Sequence, residues 1–123
     1  MHRVFVYGTL LRGEHNHGTM AAARGRFIRE ATTAAGFALF DLGSFPGMRR
    51  VVDGRTVIGE VWDVDAAGLL VLDRLEGHPR FYQREWITLC DGEEVQTYLI
   101  DAFGCPAIPL GDWRTHRRTS RSL

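Results

Sequence analysis

The chain has 123 residues, and its 15 acidic and 15 basic residues give a formal charge of zero. This length suits one domain, and the lack of a basic excess argues against nucleic acid as the main partner, because neutralising phosphates requires surplus cations. Every basic residue is arginine, which excludes a Schiff-base lysine, a lysine general base and a phosphate-loop lysine.

No apolar run approaches the roughly 18 residues that a membrane helix needs, and the N-terminus lacks the apolar core of a secretory signal. We therefore predict a cytoplasmic protein without membrane contact. The two cysteines, Cys90 and Cys105, have neither CxxC spacing nor a disulfide pattern, so we predict that both are small, buried structural residues.

Strands and a short helix are predicted in the first part of the chain. Runs of β-branched and aromatic residues bounded by turn residues predict strands at 3–7, 26–33 and 36–42. Between the first two, a helix is predicted at 17–24, with Asn16 as its N-cap.

Turn signals predict the pairing of the later strands. Pro46-Gly47 is typical of a type II turn. Asp53-Gly54 predicts a hairpin that joins residues 51–52 to 57–64. A further hairpin is predicted from two strands, 84–90 and 95–100, on either side of Asp91-Gly92-Glu93-Glu94.

The strongest helix signal covers residues 66–76. Asp65 is a suitable N-cap, Gly77 suits the left-handed position after the last turn, and Pro79 follows shortly after. One clear helix among six or seven strands predicts an α+β fold, a small mixed β-barrel of about six strands with one or two packed helices.

Residues 1–113 are assigned to this domain and residues 114–123 to a basic C-terminal tail. The tail is predicted to be solvated and frayed. Residues 103–110 are candidates for a lid or an edge contact, with Trp113 as a possible anchor of the tail. The arginines of the tail are Arg114, Arg117, Arg118 and Arg121.

Glu76 interrupts the apolar face of the predicted helix. On a wheel of about 100° per residue, Glu76 falls between Leu69 and Leu72. A carboxylate therefore points out of a face that should be buried. The predicted apolar stripe comprises Leu69, Val71, Leu72 and Leu75.

Three effects would raise the pKa of the Glu76 carboxyl group: burial, the negative end of the helix, and Asp73 one turn earlier. A pKa nearer neutrality suits general acid–base catalysis. The alternative is a structural glutamate that turns to solvent or pairs with Arg80 or Arg84.

A second candidate site element is the loop Tyr7-Gly8-Thr9-Leu10, called here the site loop. Glycine permits positive φ and lets N–H groups approach a ligand. Successive N–H groups in such a turn bind a carboxylate or a developing oxyanion. An ordinary strand-ending turn is the alternative.

Three other groups of residues are possible sites. Glu14, His15 and His17 share one loop, but nothing nearby completes a coordination shell, so no metal or other cofactor is predicted. Cys90 or Cys105 as a nucleophile would require a histidine in space. His78 follows Gly77 and is predicted to lie near the mouth of a pocket.

Read together, these segments resemble the γ-glutamylcyclotransferase-like superfamily, closest to its γ-glutamylamine cyclotransferase branch. The matching segments, in order from residue 4 to about residue 100, include Val6-Tyr7-Gly8-Thr9-Leu10, Arg12-Gly13, Asn16-His17, residues 39–47, Gly59-Glu60-Val61, Leu72-Asp73-Arg74-Leu75-Glu76-Gly77 and Tyr82-Gln83-Arg84.

The resemblance implies a small mixed β-barrel with a catalytic glutamate at Glu76. It implies that the backbone of the site loop (Tyr7, Gly8, Thr9 and Leu10) binds the γ-glutamyl group, with Tyr82 and Tyr98 as further pocket residues. The implied reaction converts a γ-glutamyl amine or peptide to 5-oxoproline and a free amine, with Glu76 moving the proton. A small-molecule γ-glutamyl substrate is thus the expected partner.

Two other functions remain open at this point: a binding or regulatory module with the same pocket, and an amidohydrolase that releases glutamate. A pure binder gains little from a costly buried carboxylate, which favours an enzyme. The sequence leaves open the leaving amine, the oligomeric state, the role of the tail, and whether the site loop binds the substrate carboxylate or the oxyanion.

Overall fold

Two β-sheets carry the fold of residues 1–121, which are the residues that the computed structural model describes. The larger sheet has the strand order β2-β5-β1-β7-β6, and β3 pairs with β4 in the smaller one. Pairing is antiparallel except between β1 and β7. The strands are β1 (His2–Val6), β2 (Arg26–Thr32), β3 (Phe37–Asp41), β4 (Pro46–Arg50), β5 (Ile58–Val64), β6 (Gln83–Thr88) and β7 (Glu94–Leu99).

The prediction of a mixed α+β fold is confirmed, with seven strands among the described residues instead of about six. The outer strands of the larger sheet, β2 and β6, meet at one end. Thr33 bridges Leu89 there, and the Cys90 N–H donates to the Thr32 carbonyl at 2.9 Å. The sheet is not closed along its length, so the word barrel describes it only loosely.

Three helices flank the sheets: α1 (Gly18–Ala22), α2 (Ala66–Glu76) and α3 (Trp113–Arg121). The bounds predicted for α2 are confirmed. Asp65 accepts a hydrogen bond from the Gly68 N–H at 2.7 Å, and Gly77 has a φ of 67°. These local signals alone start and stop the helix.

The helix α1 is shorter than predicted, and its predicted cap is wrong. His17 occupies the N-cap position without a side-chain hydrogen bond. The Asn16 amide instead donates to the Thr9 hydroxyl at 3.0 Å. Asn16 therefore braces the site loop and leaves the helix uncapped.

The predicted turn at Pro46-Gly47 is wrong, because both residues lie in β4. The chain reverses just before them, where Gly43 has a φ of 113° and the Leu42 N–H donates to the Phe45 carbonyl at 3.0 Å. Gly47 is needed for space, since a Cβ there would overlap Ile100.

The predicted hairpin across Asp53-Gly54 is also wrong. The turn itself forms, with Asp53 at a φ of 61°. However, β5 pairs with β1 and β2 in the larger sheet, away from β4. All of β5 after Ile58 is buried, and a strand buried on both faces belongs between two neighbours. The later hairpin of β6 and β7 is confirmed.

The C-terminal segment is a helix held by ion pairs, so the predicted solvated tail is wrong for Arg114 and Arg117. Arg114 contacts Glu60 at 3.0 Å, and Arg117 binds both oxygens of Glu14 at 2.7 Å. Trp113 is 3% exposed and anchors the helix as expected. The side chains of Ser120 and Arg121, and residues 122–123, lie outside the described part of the chain. A domain boundary at residue 113 stays a prediction.

The segment 103–110 makes the predicted edge contact, because Ala107 bridges Phe40 of β3. Cys90 is exposed and Cys105 half-buried, so the predicted burial of Cys90 is wrong. Among residues 1–121, no helix is long and apolar enough to cross a membrane.

Candidate active site

A cavity of about 220 Å³ lies where the end of β1, the end of α2 and the start of β4 meet. It brings together the glutamate, the site loop and the two tyrosines that the sequence predicts for the site. All three tyrosines of the chain line it. The predicted site residues in the cavity wall are Tyr7, Gly8, Thr9, Leu10, Glu76, Tyr82 and Tyr98.

Glu76 stands on the buried side of α2, at its last turn. No group within residues 1–121 forms a hydrogen bond or an ion pair with its carboxylate. Burial raises the pKa of Glu76 to about 7, because a poorly solvated carboxylate without a partner favours its neutral form. Near neutral pH this side chain can therefore both accept and donate a proton.

The predicted contribution of Asp73 to that pKa is wrong. Asp73 accepts hydrogen bonds from Arg84 at 2.9 and 3.2 Å and from the Tyr98 hydroxyl at 2.6 Å. Although burial opposes the shift, these donors hold the pKa of Asp73 below its usual value. Since Arg84 binds Asp73, the alternative in which it neutralises Glu76 is also excluded.

The predicted apolar stripe on α2 needs a correction at Leu75, which is 40% exposed. The buried side is centred on Gly68, Leu69, Leu72 and Asp73. Glu76 lies one turn after Leu72 on this side of the helix. The predicted orientation of Glu76 is therefore correct, although Leu75 faces outwards.

The residues of the site loop line the cavity, and three of their backbone N–H groups have no acceptor among residues 1–121. Within the described part of the chain, the N–H groups of Gly8, Thr9 and Leu10 donate to no acceptor. Gly8 does not have the positive φ that the sequence suggested. It is required for another reason: a Cβ there would lie 2.5 Å from Cγ of Pro46. Glycine thus lets the loop pack against β4 with its N–H groups unpaired.

The three tyrosines form neutral, anchored walls. Tyr7 donates to the Tyr98 carbonyl at 2.6 Å, and Tyr82 donates to the Pro46 carbonyl at 2.6 Å. Burial raises the pKa of Tyr7, Tyr82 and Tyr98. All three therefore stay protonated in the range where Glu76 titrates.

The three residues of the possible metal site, Glu14, His15 and His17, do not converge on a common point. Arg117 binds Glu14, while His17 packs against Trp62 with its Nδ1 3.2 Å from the Leu10 carbonyl. His15 lines the cavity. No cluster of three or more ligating side chains forms among residues 1–121.

His78 and the cysteines do not line the cavity. The Nδ1 of His78 accepts a hydrogen bond from the Arg84 N–H at 3.0 Å, which gives it a role in the turn after α2. The predicted position of His78 at the pocket mouth is thus not supported.

The sequence analysis does not assign the other eight residues that line the cavity. Two sequence signals could have indicated some of them: aromatic residues that flank turns, and an apolar residue directly before Glu76. The eight are Phe5, Val6, His15, Asn16, Phe45, Pro46, Leu75 and Phe81.

The model of the family described as "Gamma-glutamyl cyclotransferase, AIG2-like" matches residues 4–115. The chain is 33% identical to the gamma-glutamylcyclotransferase family protein YtfP of Escherichia coli K12 over 112 residues, which cover 90% of this chain and 95% of that protein. It is 38% identical to rat gamma-glutamylaminecyclotransferase over 94 residues, which cover 68% of this chain and 60% of the rat protein.

The fold matches solved structures in the same way. The structure of c4763, a uropathogenic E. coli-specific protein, superposes with a TM-score of 0.85 at 33% identity and covers 95% of both chains.

Proposed function

The chain belongs to the gamma-glutamyl cyclotransferase, AIG2-like family, and from this premise we propose that it converts a γ-glutamyl amine or γ-glutamyl peptide to 5-oxoproline and a free amine. One observation carries the proposal. A carboxylate without a partner, with a pKa of about 7, shares a cavity with three unpaired backbone N–H groups. The cytoplasmic location expected from the sequence stays a prediction.

Glu76 is assigned the proton transfer. In its ionised form it accepts a proton from the α-ammonium group of the substrate, and the freed amine attacks the γ-carbonyl carbon. A new C–N bond closes the five-membered ring. The amide C–N bond then breaks as Glu76 returns the proton to the leaving nitrogen. The second proton of the former α-ammonium group passes to the released amine, which departs as an ammonium ion, and no water is consumed.

The intramolecular nucleophile explains what the site contains. Because the substrate brings its own amine, the enzyme has only to hold the reacting atoms together and move a proton. The anchored rings of Tyr7, Tyr82 and Tyr98 supply fixed walls for this purpose. A pKa of about 7 leaves Glu76 about half ionised at pH 7, which suits a group that both takes and gives a proton.

The N–H groups of Gly8, Thr9 and Leu10 are assigned to the negative oxygens of the substrate. Successive N–H groups that have no acceptor in the protein bind either a carboxylate or the oxyanion of a tetrahedral intermediate. Both oxygens belong to the γ-glutamyl half, which places that half against the site loop.

A panel of γ-glutamyl amines and γ-glutamyl dipeptides, analysed by mass spectrometry, tests this function. We expect 5-oxoproline and free amine in equal amounts, and no ¹⁸O in 5-oxoproline when the reaction runs in ¹⁸O-water. Glutamate carrying ¹⁸O would identify an amidohydrolase. Binding without any product would identify a binding module.

Glu76→Gln keeps the size of the side chain and removes the proton acceptor, so we expect turnover to fall by at least ~10²-fold with an unchanged fold. Glu85→Gln is the matched control, because the Glu85 side chain is 43% exposed and lies outside the cavity. Near-wild-type turnover in Glu76→Gln would remove Glu76 from the mechanism.

A further inference from the structure

One wall of the cavity, on both sides of Glu76 along the chain, is apolar and open to solvent. Leu75 directly precedes Glu76 and is 40% exposed; Phe81 comes shortly after it and is 51% exposed. Large apolar side chains that are this exposed at the edge of a cavity commonly mark a binding surface. Phe45 completes this wall, and the three residues are called here the amine rim.

The amine rim is held in place by its neighbours. The Phe81 ring meets the rings of Phe45 and Tyr82 with centroids 6.1 and 5.2 Å apart. The Phe81 N–H donates to the Gly77 carbonyl at 2.8 Å, and a Cβ on Gly77 would lie 3.0 Å from Cβ of Phe81. Phe81 is therefore seated on the end of α2, next to Glu76.

The cavity offers no partner for a charged leaving group at this wall. Among the described residues that line it, no arginine or aspartate occurs, and the acidic and imidazole side chains are Glu76 and His15. His15 lies on the loop after β1, on the same segment as the site loop. A charged group at the far end of the leaving chain would therefore meet no opposite charge at the amine rim other than Glu76, which the leaving nitrogen itself contacts.

We propose that the amine rim binds the substituent on the leaving nitrogen and selects substrates whose amine half is uncharged and apolar. This inference rests on the proposed function, in which Glu76 delivers a proton to the leaving nitrogen. Because that nitrogen must contact Glu76, its substituent passes the neighbours of Glu76, which are Leu75 and Phe81. The γ-glutamyl half then lies at the site loop.

Three γ-glutamyl amides whose leaving chains have equal length test the inference: those of n-hexylamine, of 1,5-diaminopentane and of 5-aminopentanoate. They end in a methyl group, an ammonium group and a carboxylate. We expect kcat/KM for the hexylamide to exceed both others at least ~10-fold. Along the series from ethylamide to hexylamide, each added methylene should raise kcat/KM about threefold to fourfold.

Phe81→Ser removes the ring and should lower the preference for the hexylamide to less than ~3-fold. Phe103→Ser is the matched control, since Phe103 is 87% exposed and lies outside the cavity; it should keep the wild-type preference. Circular dichroism of both variants checks that the fold is retained.

The affinities of the three amides for Glu76→Gln, measured by calorimetry, separate this inference from the proposed function. If the wild-type protein turns over no amide but the hexylamide binds most tightly to Glu76→Gln, the proposed function is overturned and the proposal for the amine rim stands. If 5-oxoproline forms but either charged amide reacts as well as the hexylamide, the amine rim is overturned and the function stands. An unchanged preference in Phe81→Ser also overturns it.

Discussion

Two glutamates of this protein are shielded from water, but within residues 1–121 only one of them has hydrogen-bond donors around its carboxylate. Glu60, in β5, is fully buried and accepts hydrogen bonds from Arg12, Trp62 and Arg114. Burial acts to raise its pKa, but these donors hold the pKa below its usual value. Glu76 has no such donors among the described residues, and burial raises its pKa to about 7.

The comparison shows that the partner set, rather than burial, separates a structural carboxylate from a reactive one. A buried charge is tolerated where donors replace its lost water, as around Glu60. Where no donor is supplied, the group shifts towards its neutral form, and such uncompensated groups cluster at functional sites. The region around Glu60 holds the fold together, and the region around Glu76 performs the proposed reaction.

The largest effect that tests this comparison is expected from Glu60→Gln. It leaves the Arg12 and Arg114 guanidinium groups without their buried counter-ion, so the free energy of unfolding should fall by about 3–5 kcal/mol. Urea denaturation at pH 7 measures the change. Glu85→Gln, at an exposed pair with a 3.8 Å separation, should change it by less than about 0.5 kcal/mol. Equal effects of the two substitutions would break the comparison.

A smaller change in the free energy of unfolding, of opposite sign, is expected from Glu76→Gln. Because the folded pKa of Glu76 is raised from 4.5 to about 7, ionisation opposes folding, and the wild-type protein loses stability as the pH rises through that window. Glu76→Gln should therefore match the wild type near pH 4 and exceed it by about 1–3 kcal/mol at pH 8. A constant difference across this range would contradict the raised pKa.

The same ionisation should govern catalysis. If Glu76 must be ionised to accept the first proton, kcat/KM falls about tenfold per pH unit below a pKa near 7. If kcat/KM falls only below about pH 4.5, the group that controls catalysis does not have the raised pKa that burial gives Glu76.

The smallest effect is expected from Arg117→Ala, which tests an intermediate case. Glu14 has a side chain that is 5% exposed, and both its oxygens are bound by Arg117. Losing that partner should cost about 1 kcal/mol in the free energy of unfolding. Arg26→Ala is the control, because Arg26 is 76% exposed and its pair with Asp63 is 3.6 Å long. No difference between the two variants would favour the solvated tail that the sequence suggests.

The features predicted well depend on residues that are close in sequence. The bounds of α2 follow from Asp65 and Gly77, and the direction of Glu76 follows from the spacing along the same helix. The hairpin of β6 and β7 follows from a short turn with Gly92 at a φ of 92°. In each case the information lies within one or two turns of chain.

The features predicted wrongly depend on distant partners. Pro46 and Gly47 lie in β4, which packs closely against Gly8 and Ile100 from distant parts of the chain. The Asp53-Gly54 turn does not make a hairpin, because the neighbours of β5 are β1 and β2. Asp73 does not act on Glu76, because Arg84 comes from a later strand to bind it. Tertiary contacts override local signals at each of these positions.

The docking of α3 has a consequence for the order of events during synthesis. Arg117 and Glu14 are 103 positions apart, and Arg114 and Arg12 are 102 positions apart. The segment that leads out of the site loop therefore leaves the ribosome well before its anchors on α3, which are translated about a hundred codons later. Contacts between residues so far apart in sequence form late. In a nascent chain stalled before residue 114, the segment that follows the site loop therefore lacks its contacts with α3.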